Sequence, residues 1–239
     1  MDLSLGPSMS PTSEPIRRAI HKSARHALST YVKGKRVVGL GSGNTIAILV
    51  KELSRLDYKK EINFVTSSLQ IEVEAEKAGL RIVDASGFFT LEVILDGADQ
   101  IDREFNMIKG GGGALMKEKI LISAAKKVVI MADYTKFVKK LTRPIPIEVH
   151  RFARPLLMNR IKELGGKPKL RTTEKGYPYI TENGNLILDT SFNNTGNVLT
   201  RKTQLKSIPG VLEVGLFSRA DIYYKAKNDG SFEVINPNE

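Results

Sequence analysis

The chain has 239 residues, 41% of them hydrophobic, which suffices for one large α/β domain or a domain with a smaller companion and argues against wholesale disorder. It has no cysteine, so disulfides, thiolate catalysis and zinc–thiolate sites are excluded. The formal net charge is +11, and twelve Lys/Arg against five Asp/Glu fall within residues 143–207; with no Trp and few aromatics to stack bases, a solvated basic face or a field that draws in an anionic substrate fits better than a nucleic-acid surface.

Residues 1–13 are Ser/Pro-rich without apolar periodicity and are expected to form a flexible leader, with no secretory pattern. No uncharged apolar stretch of about 18 residues occurs, so no membrane span is expected, and a cytoplasmic setting is the reading that fits. Glu14 to Val32 predicts a helix. Alternation then begins: strand Val37–Leu40, helix through Leu53, strand Ile62–Val65, helix through Ala78 capped by Gly79, strand Val93–Leu95, a helix opened by Lys109–Gly113 and running through Lys127, and strand Val128–Met131. Such alternation predicts a Rossmann-like, doubly wound, mostly parallel sheet. Four of its strands run into Ser42–Thr45, Thr66–Ser68, Asp96–Asp99 and Ala132–Lys136, and ligands of open α/β sheets bind at that carboxyl edge.

After Pro144 the pattern changes. Strand Pro146–Val149, helix Arg154–Leu164, strand Lys169–Arg171, a hairpin Tyr179–Phe192 turning at Glu182–Asn185, a helix around Val198–Ser207 and strand Val211–Leu216 follow in β-α-β-β-α-β order. The expected organisation is a catalytic domain of residues 14–143 and 208–239 carrying a small inserted α+β lid, ferredoxin-like (split βαβ), over 144–207.

Gly39–Thr45 is a glycine-rich turn between strand and helix, where backbone N–H groups and the side chains of Ser42, Asn44 and Thr45 suit a single small phosphate; a tight structural turn is the competing reading. It lacks the P-loop ending, and no acid follows the second strand to hold a dinucleotide ribose. Asp96 and Asp99 at a strand end can bond hydroxyls and pass protons; a hard-cation site is the rival, opposed by the nearby lysines. Four consecutive glycines, Gly110 to Gly113, imply close backbone approach to a ligand, and Lys109 before them can face an anionic oxygen. On the following helix Glu118 falls within an arc of Leu115, Leu121, Ile122 and Ala125; a charge on an apolar face needs a purpose beyond the favourable helix N-terminus. Lys136 can bind phosphate or lie solvated. His21, His26 and His150 have no metal-ligand spacing, and His21 and His26 read as helix-surface or interface residues.

Together these segments (GLGSGNT, TSS, LDGADQID, IKGGGGALMKEKI, ADYTK, PIPIEV, the ENGN turn and IPGVLEVGLF) resemble the type A ribose-5-phosphate isomerases over residues 15–225. The resemblance implies a cofactor-free, metal-free aldose–ketose isomerase working on ribose 5-phosphate and ribulose 5-phosphate in the pentose phosphate pathway, as a homodimer or homotetramer. It implies Glu118 as general base and Lys109, Asp96 and Asp99 as catalytic partners. It also implies a substrate site of Ser42, Gly43, Asn44, Thr45, Asp96, Gly97, Ala98, Asp99, Lys109, Gly110, Gly111, Gly112 and Lys136. Asn44 and Gln100 depart from the family, which commonly has Ser or Thr and Glu there. Two rival classes are a related sugar-phosphate deaminase or lactonase, and a sugar-phosphate sensor, for whose DNA-reading helix pair residues 1–36 look too short.

Overall fold

The computed structural model describes residues 13–87, 90–218 and 220–237. The leader expected over 1–13 lies outside the described residues apart from Ser13. The first helix, α1 (Glu14–Ala27), starts with an acid and a proline in its first turn and continues as a π turn over Leu28–Val32. Strand β1 (Val37–Leu40), helix α2 (Gly43–Leu53), strand β2 (Asn63–Thr66) and helix α3 (Leu69–Lys77) follow as the apolar alternation predicts, then a short edge strand β3 (Arg81–Ile82) that it did not, and the expected β4 (Val93–Asp96). Short strands β5 (Gln100–Ile101) and β6 (Met107–Ile108) lead to helix α4 (Leu115–Ala124) and strand β7 (Val128–Asp133). Helix α4 stops short of Lys127, because Ala125 turns to extended backbone and bridges to Leu91.

The second half comprises β8 (Ile145–Val149), α5 (Arg154–Glu163), β9 (Gly166–Leu170), β10 (Leu186–Phe192), α6 (Val198–Lys206) and β11 (Val211–Val214). Then come β12 (Leu216–Phe217), β13 (Ile222–Ala226) and β14 (Phe232–Ile235). A seven-stranded sheet runs β14-β13-β7-β4-β1-β2-β3, parallel except for β14. Its interior strands are hydrophobic on both faces because helices cover both. Leu40, Leu95 and Val129 sit in register and are fully buried, and each such side chain contributes about 1.5–3 kcal/mol.

The second sheet is antiparallel, in order β11-β8-β10-β9, with α5 and α6 supplying the apolar residues Leu157, Ile161, Val198 and Leu205 to its own core. A three-stranded sheet, β12-β6-β5, joins the two units. Three expectations need correction. Strand β11 pairs with β8, so the antiparallel unit extends to Val214 rather than stopping at 207, and the chain returns to the parallel domain from Gly215. The expected strand Val211–Leu216 is split at Gly215: its N–H donates to Pro146 and its carbonyl accepts from Lys109 N–H, where three chain segments meet. The first arm of the hairpin forms no strand: its ladder contacts are isolated bridges, Thr172 to Pro178 and Ile180 to Leu186, beside single backbone bonds from Tyr179 to Arg171 and Thr181 to Asn185, and Pro178 has no N–H to offer a ladder. Among the described residues no helix is long and apolar enough to cross a membrane.

Candidate active site

The carboxyl ends of β1 and β4 and the N-terminus of α4 converge on three charged side chains that are almost wholly buried: Asp96 at 0% exposure, Lys109 at 2% and Glu118 at 2%. Lys109 Nζ lies 2.8 Å from Asp96 Oδ2 and 3.2 Å from Glu118 Oε2, and donates to the Gly97 carbonyl at 2.6 Å. The two carboxylate contacts are close in charge but poorly aligned as hydrogen bonds, so both oxygens keep unused lone pairs. Glu118 occupies the first turn of α4 between buried Leu115 and Leu121, the apolar arc read from the sequence. Its other oxygen accepts from Ser42 Oγ at 2.6 Å.

Ser42 is the residue at which α2 begins, yet its hydroxyl makes no capping bond; it is spent on Glu118. The first N–H groups of α2, at Gly43–Thr45, therefore have no side-chain cap, which leaves a helix end suited to an anion. Asp96 Oδ1 accepts from Gly97 N–H at 2.7 Å and Ser42 N–H at 3.3 Å. Gly41 is required beside it, because a Cβ there would overlap the Asp96 carboxylate.

Burial pushes Asp96 up to about 7, and repulsion from Glu118 adds to the rise, against the lowering pull of Lys109. Burial would by itself lower Lys109, but Asp96 and Glu118 outweigh it and hold its ammonium above the ordinary lysine value. The site thus keeps its cation while one carboxyl exchanges a proton near neutrality.

Asp99 is half-buried and accepts from Gly111 N–H at 2.7 Å, with Arg143 Nη1 at 4.0 Å from its other oxygen. Gly97 and Ala98 line the same turn, and Asn44 is exposed. Gln100 is engaged away from the site: its Nε2 donates to Thr142 Oγ1 and its Oε1 accepts from Thr142 and Arg143 N–H, contacts that a glutamate could also make by accepting from the Thr142 hydroxyl. Asp102 is likewise structural, accepting from Glu104 and Asn106 N–H. Lys136 ends the turn after β7, half-buried, and the structure does not bring it into bonding contact with the cluster. His26 lies exposed on α1 as expected, its Nδ1 2.7 Å from Tyr224 Oη, while half-buried His21 pairs through Nδ1 with buried Glu52 at 2.6 Å.

Sequence reasoning missed the residues that reach the glycine loop from the antiparallel unit. Arg171 Nη1 donates to the carbonyls of Gly110 and Gly111 at 2.9 and 3.0 Å, and Tyr179 Oη donates to the carbonyl of Gly112 at 3.0 Å. Arg171 Nε and Nη2 are held by Asp189 at 2.8 and 2.5 Å. Buried Glu148 gathers Thr181, Asn183 and Asn185, which shapes the turn that brings Glu182 to Lys117 and to the Leu69 N–H. The opposite charges of Arg171 and Asp189 were visible, but their pairing depends on register.

The family model for ribose 5-phosphate isomerase A (phosphoriboisomerase A) matches residues 63–230. The chain is 39% identical over 227 residues to ribose-5-phosphate isomerase A of Methanosarcina acetivorans, covering 94% of this chain and 95% of that protein. The chain belongs to the ribose 5-phosphate isomerase A family. The solved ribose 5-phosphate isomerase A of Neisseria gonorrhoeae superposes with a TM-score of 0.84 at 32% identity, over 96% of this chain and 99% of that one. A D-ribose-5-phosphate isomerase in complex with phospho-erythronic acid superposes at 0.85 and 31% identity, over 92% and 97%. Membership in the ribose 5-phosphate isomerase A family makes the protein an isomerase of ribose 5-phosphate, and the sensor, deaminase and lactonase readings are not favoured.

Proposed function

We propose that Glu118 is the base that carries a proton between carbon 2 and carbon 1 of ribose 5-phosphate, giving ribulose 5-phosphate through an enediolate. The observation that carries this reading is a buried carboxylate on an apolar helix face, oriented by Ser42 and Lys109 and placed behind a glycine loop that a substrate can approach closely. Glu118 takes the carbon-2 proton and returns it to carbon 1, and one carboxylate suffices for both steps. Negative charge then develops on the two substrate oxygens. The ammonium of Lys109 and the glycine-loop N–H groups stabilise it in a site that excludes water.

Asp96, exchanging a proton near neutral pH, and Asp99 at the loop move protons among the hydroxyls and open the ring. The uncapped start of α2 at Gly43, Asn44 and Thr45, together with Lys136, takes the phosphate, while Ser42, whose hydroxyl and N–H are held by Glu118 and Asp96, shapes the loop beside it. The reaction is a redox-neutral proton transfer, so this reading requires no cofactor and no metal. Phospho-erythronic acid, bound by the relative, presents a carboxylate whose paired oxygens resemble an enediolate, which supports the same chemistry here. The partition into catalytic domain and lid, a homodimer or homotetramer, and a cytoplasmic setting belong to this reading.

The test is to incubate the purified protein with ribose 5-phosphate in deuterated water and follow both sugars by NMR. Ribulose 5-phosphate should appear with deuterium entering at the exchanging carbons. Absence of both would overturn the reading, and isomerisation without any solvent deuterium would point to hydride transfer instead.

A further inference from the structure

The glycine loop closes one turn of its own, Gly113 N–H donating to the Gly110 carbonyl at 3.0 Å, and its carbonyls are also held from outside. Three successive carbonyls, of Gly110, Gly111 and Gly112, are each bound by a side chain of the antiparallel unit, the first two by Arg171 and the third by Tyr179. In a trans peptide the C=O of one residue points opposite to the N–H of the next. Holding the Gly110 carbonyl therefore aims the Gly111 N–H away from Arg171, where it meets Asp99 at 2.7 Å. Holding the Gly111 carbonyl aims the Gly112 N–H the same way. Among the described residues that N–H meets no acceptor, and Gly112 lies beside Ser42, whose hydroxyl bonds Glu118.

We propose that Arg171, oriented by Asp189, is a positioning residue for the isomerisation: it turns the glycine-loop peptides so that the Gly112 N–H faces the enediolate. This rests on the roles proposed above for Glu118 and the loop. Arg171 itself is no substrate ligand. Of its five N–H donors, two are on the glycine carbonyls and two on Asp189, its side chain is only 14% exposed, and one donor is left over. The antiparallel unit is thereby part of the catalytic apparatus rather than only a cover. The one internal bond, Gly113 N–H to the Gly110 carbonyl, leaves the Gly111 and Gly112 carbonyls to be oriented from outside, and glycines restrict their own backbone least.

The experiment is steady-state kinetics on the full chain carrying Arg171→Gln, Asp189→Asn, both together, and Glu118→Gln as a control, with melting temperatures for each. Misaiming one donor should lower kcat of Arg171→Gln by about 10–100-fold while KM moves less than about threefold, since the donor acts on charge present only in the transition state. The melting temperature should change by only a few degrees. Guanidinium ion at sub-denaturing concentration should restore part of the lost rate, which a purely structural defect would not allow. Asp189→Asn should lower kcat less, and the double variant should be no worse than Arg171→Gln, because the two act as one unit. A rise in KM at unchanged kcat would overturn the inference by making Arg171 a phosphate ligand, and so would unchanged kinetics or a loss without guanidinium rescue. Should Arg171→Gln fail to fold, Asp189→Asn decides by the same split between kcat and KM. If Glu118→Gln keeps full activity, the active-site reading fails; if Glu118→Gln is dead and Arg171→Gln is fully active, only the present inference fails.

Discussion

Replacing Lys109 by Met would leave Asp96 and Glu118 buried side by side with no cation, and the cost should depend steeply on pH. In the intact site Lys109 Nζ lies 2.8 and 3.2 Å from the two carboxylates. Removing one partner of a buried ion pair typically costs about 3–5 kcal/mol. The variant can limit the damage by protonating a carboxyl, at about 1.4 kcal/mol for each pH unit above an ordinary carboxyl value near 4. That gives about 5 kcal/mol at pH 8 but only about 1 kcal/mol at pH 5. The sign is fixed: the folded-state carboxyl values rise above their unfolded ones, so the deficit is absent at low pH and grows as pH rises. For a chain of this size the melting temperature should drop by roughly 6–20 °C at pH 8 and by only a few degrees at pH 5. Thermal unfolding followed by circular dichroism at both pH values measures this. Equal losses at the two pH values would show that Lys109 matters for packing and not for charge.

Asp96, held up to about 7, should donate its proton less well as pH rises, so kcat should decline above neutrality; a rate that is flat from weakly acidic to alkaline pH would remove its proton-transfer role. Lys136→Ala should raise KM more than it lowers kcat, and activity should fall with ionic strength as substrate capture is screened; unchanged kinetics would return Lys136 to a solvated surface role. Activity should survive exhaustive chelation, because the Lys109 ammonium sits between the carboxylates where a cation would otherwise bind; loss with EDTA, restored by magnesium, would make Asp96 and Asp99 metal ligands.

The parallel sheet was readable because its strands are short apolar runs that end in polar turns, and the burial of β4 on every residue bears out that pattern. Glu118 was readable because helical spacing alone puts it between Leu115 and Leu121. Other features depend on contacts that local sequence does not encode. Ile208-Pro209-Gly210 looks like the end of a unit, but the chain makes a turn there and adds β11 to the antiparallel sheet. Arg171 looked like an ordinary strand-end residue. Its role appears only when β9 and β10 pair and the sheet is laid against the glycine loop. Lys136 was assigned from motif position, and among the described residues it is placed only at the end of the turn after β7, at the sheet edge.

If the Glu118 carboxylate moves the proton, its replacement by an amide must stop both turnover and exchange. Glu118→Gln keeps the size and the hydrogen bond from Ser42 but cannot accept a proton from carbon. With general-base catalysis worth about 10²–10⁴-fold, kcat should fall by at least that order, and solvent-deuterium exchange at carbon 2 should slow in parallel. Affinity for a sugar phosphate and the melting temperature should change little. A Glu118→Gln protein that retains more than about a tenth of the wild-type rate and exchange would rule out Glu118 as the base, since general-base catalysis typically contributes about 10²-fold or more.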